Sequence, residues 1–265
     1  MNPGAIRFEG VTVRYWDSNR DAIEDISFEC GGGELVVLLG PSGSGKSTLL
    51  RTVNRLVPLD AGRIFIDGTD IARMDAVVLR RGIGYVIQAI GLFTHMTVAQ
   101  NIAVVPSLLS WDRATIAQRV DALLRLVGLD PALYRSRRPN QLSGGEAQRI
   151  GVARAIAARP RALLMDEPFG AVDAIVRTAL QRELIRIVGE LKTTTLFVTH
   201  DVDEAFRLAD RIVVLRSGHI EQVAEPQELF AQPATDYVRD LVHAGDDVYQ
   251  RYFMHGRELL RGRLQ

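Results

Sequence analysis

Apolar residues recur at close to every second position at the start of the chain, at Ile6, Phe8, Val11, Val13 and Tyr15, which predicts a strand. A polar stretch, "DSNRD", separates it from a second strand-like segment over residues 22–28. Gly31, Gly32 and Gly33 interrupt the chain before "ELVVLLG", a continuous apolar run that predicts a strand buried on both faces. A helix is expected over about residues 45–57, then short strands in "RIFIDG" and in "IGYVI" at 83–87. Between about 98 and 158 the strand signal vanishes. There "DRATIAQRVDALLRLVG" sets Ile116, Val120, Leu123, Leu124 and Val127 on one helical face, with Asp112 as start signal and Gly128 as stop signal. Strands return at 162–166, 194–199 and 211–216, with a helix over about 173–191 between the first two. A short helix and a polar tail are expected after Phe230. Strands alternating with helices predict an α/β fold with a mostly parallel sheet covered on both faces, interrupted by a helical insertion.

Composition narrows the function classes. The 265 residues, 47% of them hydrophobic, suffice for one large α/β domain or a core with a smaller appendage. Thirty-two basic side chains balance thirty-two acidic ones, which argues against general attraction to nucleic acid or anionic lipid. Arg135, Arg137 and Arg138 form a small basic patch that reads as a solvated loop. Cys30 is the only cysteine, so no intrachain disulfide forms, and a reducing compartment is the simplest fit. The first residues lack the pattern of a secretion signal. The apolar runs fall far short of the ~20 residues that span a bilayer. The expectation is a soluble, cytoplasmic protein that reaches a membrane only through a partner.

The chemistry concentrates in a few motifs. "GPSGSGKST", from Gly40 to Thr48, fits G-x-x-x-x-G-K-[ST] between an apolar strand and a helix. Gly40, Ser42, Gly43 and Gly45 shape a loop whose N–H groups turn toward phosphate oxygens, at a helix start that favours anions. Lys46 reaches the β- and γ-phosphates, and Ser47 is a Mg²⁺ ligand. "LLMDEP" ends a buried strand with Asp166, placed for Mg²⁺, and Glu167, placed to polarise a water. Gln88 and His200 end further apolar strands in the same manner. His200 reads either as an ordinary edge residue or as a group near the γ-phosphate. Tyr15 reads as a base-stacking ring or a half-buried strand aromatic, with Trp16 as a competing stacker. "LSGGEAQR", Leu142 to Arg149, has the S-x-x-E spacing of a capping box and two glycines at a helix start. It is either an ordinary cap or a second phosphate site.

In this order, Tyr15, "GPSGSGKST", Gln88, "LSGGEAQR", "LLMDEP" with Asp173, and His200, the chain resembles the ATP-binding subunit of an ABC transporter over residues 5 to about 240. The resemblance implies a P-loop NTPase core, an N-terminal antiparallel β subdomain and a helical insertion that carries the signature. It divides the chain into a core with β subdomain (1–97 and 159–230), a helical subdomain (98–158) and a short tail (231–265). It implies that Tyr15 stacks on adenine, that residues 40–48 hold the phosphates, and that Ser47, Gln88 and Asp166 attend Mg²⁺. Glu167 is then the general base, Gln88 senses the metal site and the membrane subunit, and His200 contacts the γ-phosphate. Ser143, Gly144 and Gly145 cover the ATP of a second copy, and Asp173 lies in the loop between copies.

Residues 84–111 resemble importers of quaternary amines such as glycine betaine, carnitine and choline. That implies a peripheral position on the cytoplasmic face of the membrane, integral permease subunits and an extracytoplasmic solute-binding protein. Ala89, Thr94, Val172 and Ala174 depart from the family pattern, and the loss of two prolines loosens the local backbone. Some relatives carry paired regulatory domains after the cassette. The residues after Phe230 are expected to be too few for even one, which needs ~50. An importer of amino acids or polyamines is the alternative. Less expected are a soluble ATPase acting on ribosomes or DNA, or a module that binds ATP without turnover.

Overall fold

The computed structural model describes residues 4–15, 21–88, 91–169 and 174–243. Among the described residues, ten strands form two sheets. β1 (Ile6–Arg14), β2 (Asp21–Cys30), β4 (Ala61–Ile66) and β5 (Thr69–Asp70) make an antiparallel sheet of order β2-β1-β4-β5. The offset between Phe8 and Val11, three positions rather than two, has a cause. The β1–β2 register shifts there, so both side chains turn inward despite the odd spacing.

The second sheet has order β10-β9-β3-β8-β7-β6, from β3 (Leu35–Leu39), β6 (Ile83–Val86), β7 (Ala162–Asp166), β8 (Thr194–Thr199), β9 (Arg211–Arg216) and β10 (His219–Ala224). Its first five strands to be named run parallel, and only β10 is antiparallel, on β9. Alternation sorts the apolar runs between two cores. Val36, Leu38, Leu164, Leu196 and Val198 face α1 (Lys46–Val53) and the antiparallel sheet. Leu35, Val37, Leu39, Leu163, Met165 and Phe197 face the helices on the other side. Those include α6 (Gly144–Ala155), α7 (Ala174–Leu191) and α8 (Val202–Leu208).

The middle of the chain is helical as expected: α3 (Val98–Leu108), α4 (Arg113–Leu126), α5 (Pro131–Tyr134) and α6. Asp112 caps α4 by accepting from the Thr115 N–H at 2.9 Å, and Val120, Leu123, Leu124 and Val127 are buried. Thr94 sits in a turn secured by Asn101, which is fully buried. Its Oδ1 accepts from the Phe93 N–H at 2.8 Å, and its Nδ2 donates to Phe93 and Thr97 carbonyls. Asn101 thus supplies rigidity that proline does not provide here. Ala89 and Val172 lie outside the described residues.

The end of α1 and several unpatterned elements depart from expectation. α1 ends at Val53 rather than near residue 57, because Arg55 takes a positive φ of 53° that no continuing helix accepts. The short helix expected after Phe230 is present, and residues 244–265 lie outside the described ones. Following α9 (Pro226–Ala231), α10 (Asp236–His243) buries Val238 and Val242, one turn apart, against the core. Finally, α2 (Ala76–Arg81), α8 and β10 escape the pattern. α2 buries only Leu79 and exposes Val77 and Val78, so it shows no apolar face. No helix among the described residues is long and apolar enough to cross a membrane.

Candidate active site at the carboxyl edge of the central sheet

β3, β6, β7 and β8 are parallel, so the loops at their carboxyl ends share one edge of the sheet, where α/β folds bind ligands. β3 delivers the loop 40–45. Gly45 has φ 97°, and a Cβ there would lie 2.4 Å from Ile23 Cγ2 and 2.5 Å from the Ala22 carbonyl oxygen. Only glycine fits. Gly45 is also the N-cap of α1 and makes no side-chain cap bond, so the first N–H groups of α1 are left for a ligand. Lys46 is 4% exposed, and its Nζ donates to the carbonyls of Gly40 and Pro41, both at 2.8 Å. Burial pulls its pKa down, against the opposing pull of the Glu167 and Asp166 carboxylates. Ser42 and Gly43 are exposed at the loop tip. The Tyr15 hydroxyl lies 3.2 Å from Thr48 Oγ1, which sets the half-exposed ring beside the start of α1.

β7 ends in Asp166, which is almost fully buried. Its two oxygens are held from one helix, α1. Ser47 Oγ donates to Oδ1 at 2.6 Å, and Arg51 Nη2 donates to Oδ2 at 3.2 Å. The Tyr85 hydroxyl on β6 interacts with both Arg51 and Asp166; it helps to lift the guanidinium pKa, while burial pushes the Tyr85 hydroxyl up.

Glu167 follows with φ 43°, left-handed for a side chain that gains nothing from it sterically. Its N–H donates to Val198 O at 3.1 Å, so β8 fixes the strained residue. Its carboxylate sits between two neighbours. Gln88 Nε2 donates to Oε2 at 3.3 Å, and His200 Nδ1 lies 3.3 Å from Oε1. Gln88, Glu167 and His200 come from the ends of β6, β7 and β8.

The second glycine-bearing helix start is built differently. Ser143 Oγ accepts from the Glu146 N–H at 3.3 Å, and Glu146 Oε2 accepts from the Ser143 N–H at 2.7 Å. The capping box read from the sequence is complete. Glu146 also accepts from the Tyr134 hydroxyl, and these two donors hold its pKa below the usual carboxylate range. A Cβ on Gly144 would meet nothing within 4 Å. Among the described residues, no packing requires glycine there. α6 packs on α3, α4, α7 and β6, whereas α1 packs on β2, β7 and β8. The structure therefore brings together Tyr15, residues 40–48, Gln88, Asp166, Glu167 and His200, while Ser143 to Gly145 belong to another neighbourhood. Asp173 and Trp16 lie outside the described residues.

Sequence reasoning missed Arg51 and Tyr85. Arg51 stands four residues after Ser47, and that spacing on a helix was the available signal. Of the basic patch, Arg135 pairs with Asp121 at 2.7 Å and Arg137 lies over the Tyr134 ring, so two of its three members are locally engaged.

Residues 23–170 match the family described as "ABC transporter". The chain is 48% identical, over 89% of its length, to the glycine betaine/carnitine/choline transport ATP-binding protein of Bacillus subtilis. It is 50% identical, again over 89%, to the osmoprotectant import ATP-binding protein of Salmonella typhimurium. It spans 62% and 63% of the lengths of those two relatives. Among solved structures, a dimeric ATP-binding cassette in a post-hydrolysis state, bound to ADP and Pi, superposes with TM-score 0.74 at 29% identity. That match covers 83% of this chain and 98% of the other. The phosphate-type loop, the acidic strand end and the capped glycine pair thus sit within a matching family framework, and the chain belongs to the ABC transporter family.

Proposed function

We propose that the chain binds and hydrolyses ATP as the motor subunit of a membrane importer. The observation that carries this reading is the meeting of Lys46, the Ser47–Asp166 pair and the Gln88–Glu167–His200 group at one sheet edge. The free N–H groups of α1 and the Lys46 ammonium bind the β- and γ-phosphates, and Lys46 exchanges loop carbonyls for phosphate oxygens. Tyr15 stacks on adenine, with its ring held beside Thr48.

The donors fit Mg²⁺. Ser47 Oγ and the Asp166 carboxylate are hard oxygens 2.6 Å apart, and Gln88, whose amide nitrogen bonds Glu167, would offer its amide oxygen. Among the described residues no three His, Cys, Asp or Glu side chains gather to hold a metal, as suits an ion that completes its shell with phosphate oxygens and water. Bound there, Mg²⁺ supplies charge neutralisation at the bridging and terminal phosphate oxygens. Glu167 takes the proton of the attacking water as the water oxygen bonds to the γ-phosphorus. The bond to the β–γ bridging oxygen breaks, and its electron pair leaves with ADP. Gln88 and His200 hold the Glu167 carboxylate from opposite oxygens, and His200 faces the γ-phosphate.

Ser143 to Gly145 cover the nucleotide of a second copy, and Asp173 lies between the copies. The side-chain-free surface at Gly144, with no use inside the chain, supports this. Ser143 caps its own helix until the copies close, then turns to the γ-phosphate. On the same reading residues 98–158 are the helical subdomain, 1–97 and 159–230 the core, and 231–265 the tail.

The relatives' names, for transport of glycine betaine, carnitine and choline and for osmoprotectant import, support import of a quaternary-amine osmoprotectant; the reading adds integral permease subunits, a solute-binding protein and a place for this chain on the cytoplasmic face. The test is uptake of labelled glycine betaine, choline and carnitine by cells with and without the gene. Loss of uptake of at least one is expected. Unchanged uptake of all three, with loss of an amino acid or polyamine instead, overturns the solute class and leaves the ATPase reading to the nucleotide experiments.

A further inference from the structure

We propose that Arg51, steadied by the Tyr85 hydroxyl, is a positioning residue that keeps Asp166 aimed at the metal when Ser47 lets go of it. The inference rests on the nucleotide reading above. Ser47 and Arg51 lie one turn apart on α1, so both project toward the end of β7. Each takes one oxygen of Asp166: Ser47 Oγ on Oδ1 at 2.6 Å and Arg51 Nη2 on Oδ2 at 3.2 Å.

Ser47 cannot keep this bond and also be a ligand. Were its oxygen to turn to a cation, Oδ1 would lose its donor and be free to serve the metal site. Oδ2 must then be held by something else, because a carboxylate with only 2% of its side chain exposed has little solvent to replace a lost partner. Arg51 is that partner, at 3.2 Å from Oδ2, and Tyr85 from β6 interacts with both Arg51 and Asp166. The clamp spans α1, β6 and β7 and leaves one carboxylate oxygen to serve the metal. Groups placed this way behind a metal-binding carboxylate set its orientation.

Two effects of Arg51 on the cation have opposite signs. A guanidinium beside the site repels Mg²⁺, whereas a fixed Asp166 attracts it. Orientation outweighs the repulsion.

The experiment titrates Mg²⁺ into the folded protein with a fluorescent ATP analogue and reads nucleotide affinity with and without the metal. Arg51→Met is expected to raise the Mg²⁺ concentration for half-maximal tight binding about tenfold. Metal-free affinity should stay within about twofold of the parent, and Arg51→Lys should recover part of the loss through its retained charge and stem. Tyr85→Phe, which removes the hydroxyl shared by Arg51 and Asp166, is expected to shift the midpoint about threefold in the same direction. It decides the matter if Arg51→Met does not fold. A lower or unchanged Mg²⁺ midpoint in Arg51→Met overturns the proposal, as does equal weakening with and without metal. If the parent itself shows no metal-dependent nucleotide binding, the nucleotide reading fails first.

Discussion

The two glycine-bearing helix starts, at α1 and at α6, solve opposite problems with similar residues. At α1 the glycine is compelled from inside the chain, since a side chain on Gly45 would strike Ile23 and Ala22. Yet the helix end itself is unfinished: no side chain caps it, and the buried Lys46 ammonium is turned back on loop carbonyls. At α6 the helix end is finished by Ser143 and Glu146, whereas Gly144 answers to nothing around it. A glycine that packing does not need still lowers helix stability by ~1 kcal/mol relative to alanine. One loop leaves its helix start without a side-chain cap. The other is complete in itself and offers a bare surface to something outside.

The largest expected break of this contrast is at Lys46. Lys46→Ala should weaken ATP binding by roughly 100-fold or more, the loss of one to two charge-assisted hydrogen bonds, read by calorimetric titration. Undiminished affinity would sink the phosphate reading of the α1 loop. Glu167→Gln comes next. Turnover should fall by about 10² to 10⁴ while ATP stays bound and draws two copies together. Rapid hydrolysis by this variant removes Glu167 as the base.

Two glycine substitutions sharpen the comparison directly. Gly45→Ala must force φ 97° and an overlap on a side chain, and should cost roughly 2–4 kcal/mol in chemical denaturation. Gly144→Val should change the stability of the single chain by no more than about 0.5–1 kcal/mol. It should leave ATP binding intact and abolish ATP-driven association. A strongly destabilised Gly144→Val would show that the chain uses this glycine after all.

The smallest effect concerns the cap. The Tyr134 hydroxyl, and then the Ser143 N–H, keep the Glu146 carboxylate below its usual range. A group whose folded pKa is depressed stabilises the fold above its unfolded value and loses that contribution as pH falls through the folded one. Tyr134→Phe should therefore be less stable than the parent near neutrality, and the gap should close as pH falls below about 4. A gap independent of pH would assign the tyrosine a packing role alone.

How much of this was legible follows from where the information lies. β7, β8 and β9 matched their expected spans because continuous apolar runs between polar ends have few other solutions. The capping box was readable because its two partners are three residues apart. β10 was not, since an edge strand reading "HIEQVA" buries little, and its hairpin turn, Ser217 and Gly218 at positive φ, looks like any polar loop. The Arg51–Tyr85–Asp166 clamp joins residues far apart in the chain through a fold whose register must be known first. The strain at Glu167 is invisible for the same reason, because the carbonyl that holds it, Val198 O, belongs to another strand.

The central claim is that the α1 loop and the α6 cap serve one ATP from different copies. Mixing Lys46→Ala chains with Gly144→Val chains tests it most directly. Each is expected to be inactive alone, and a mixed pair contains one intact site, made of the α1 loop of the second and the α6 start of the first. ATP hydrolysis well above the sum of the separate preparations is the expected result. Hydrolysis no greater than that sum would contradict the account.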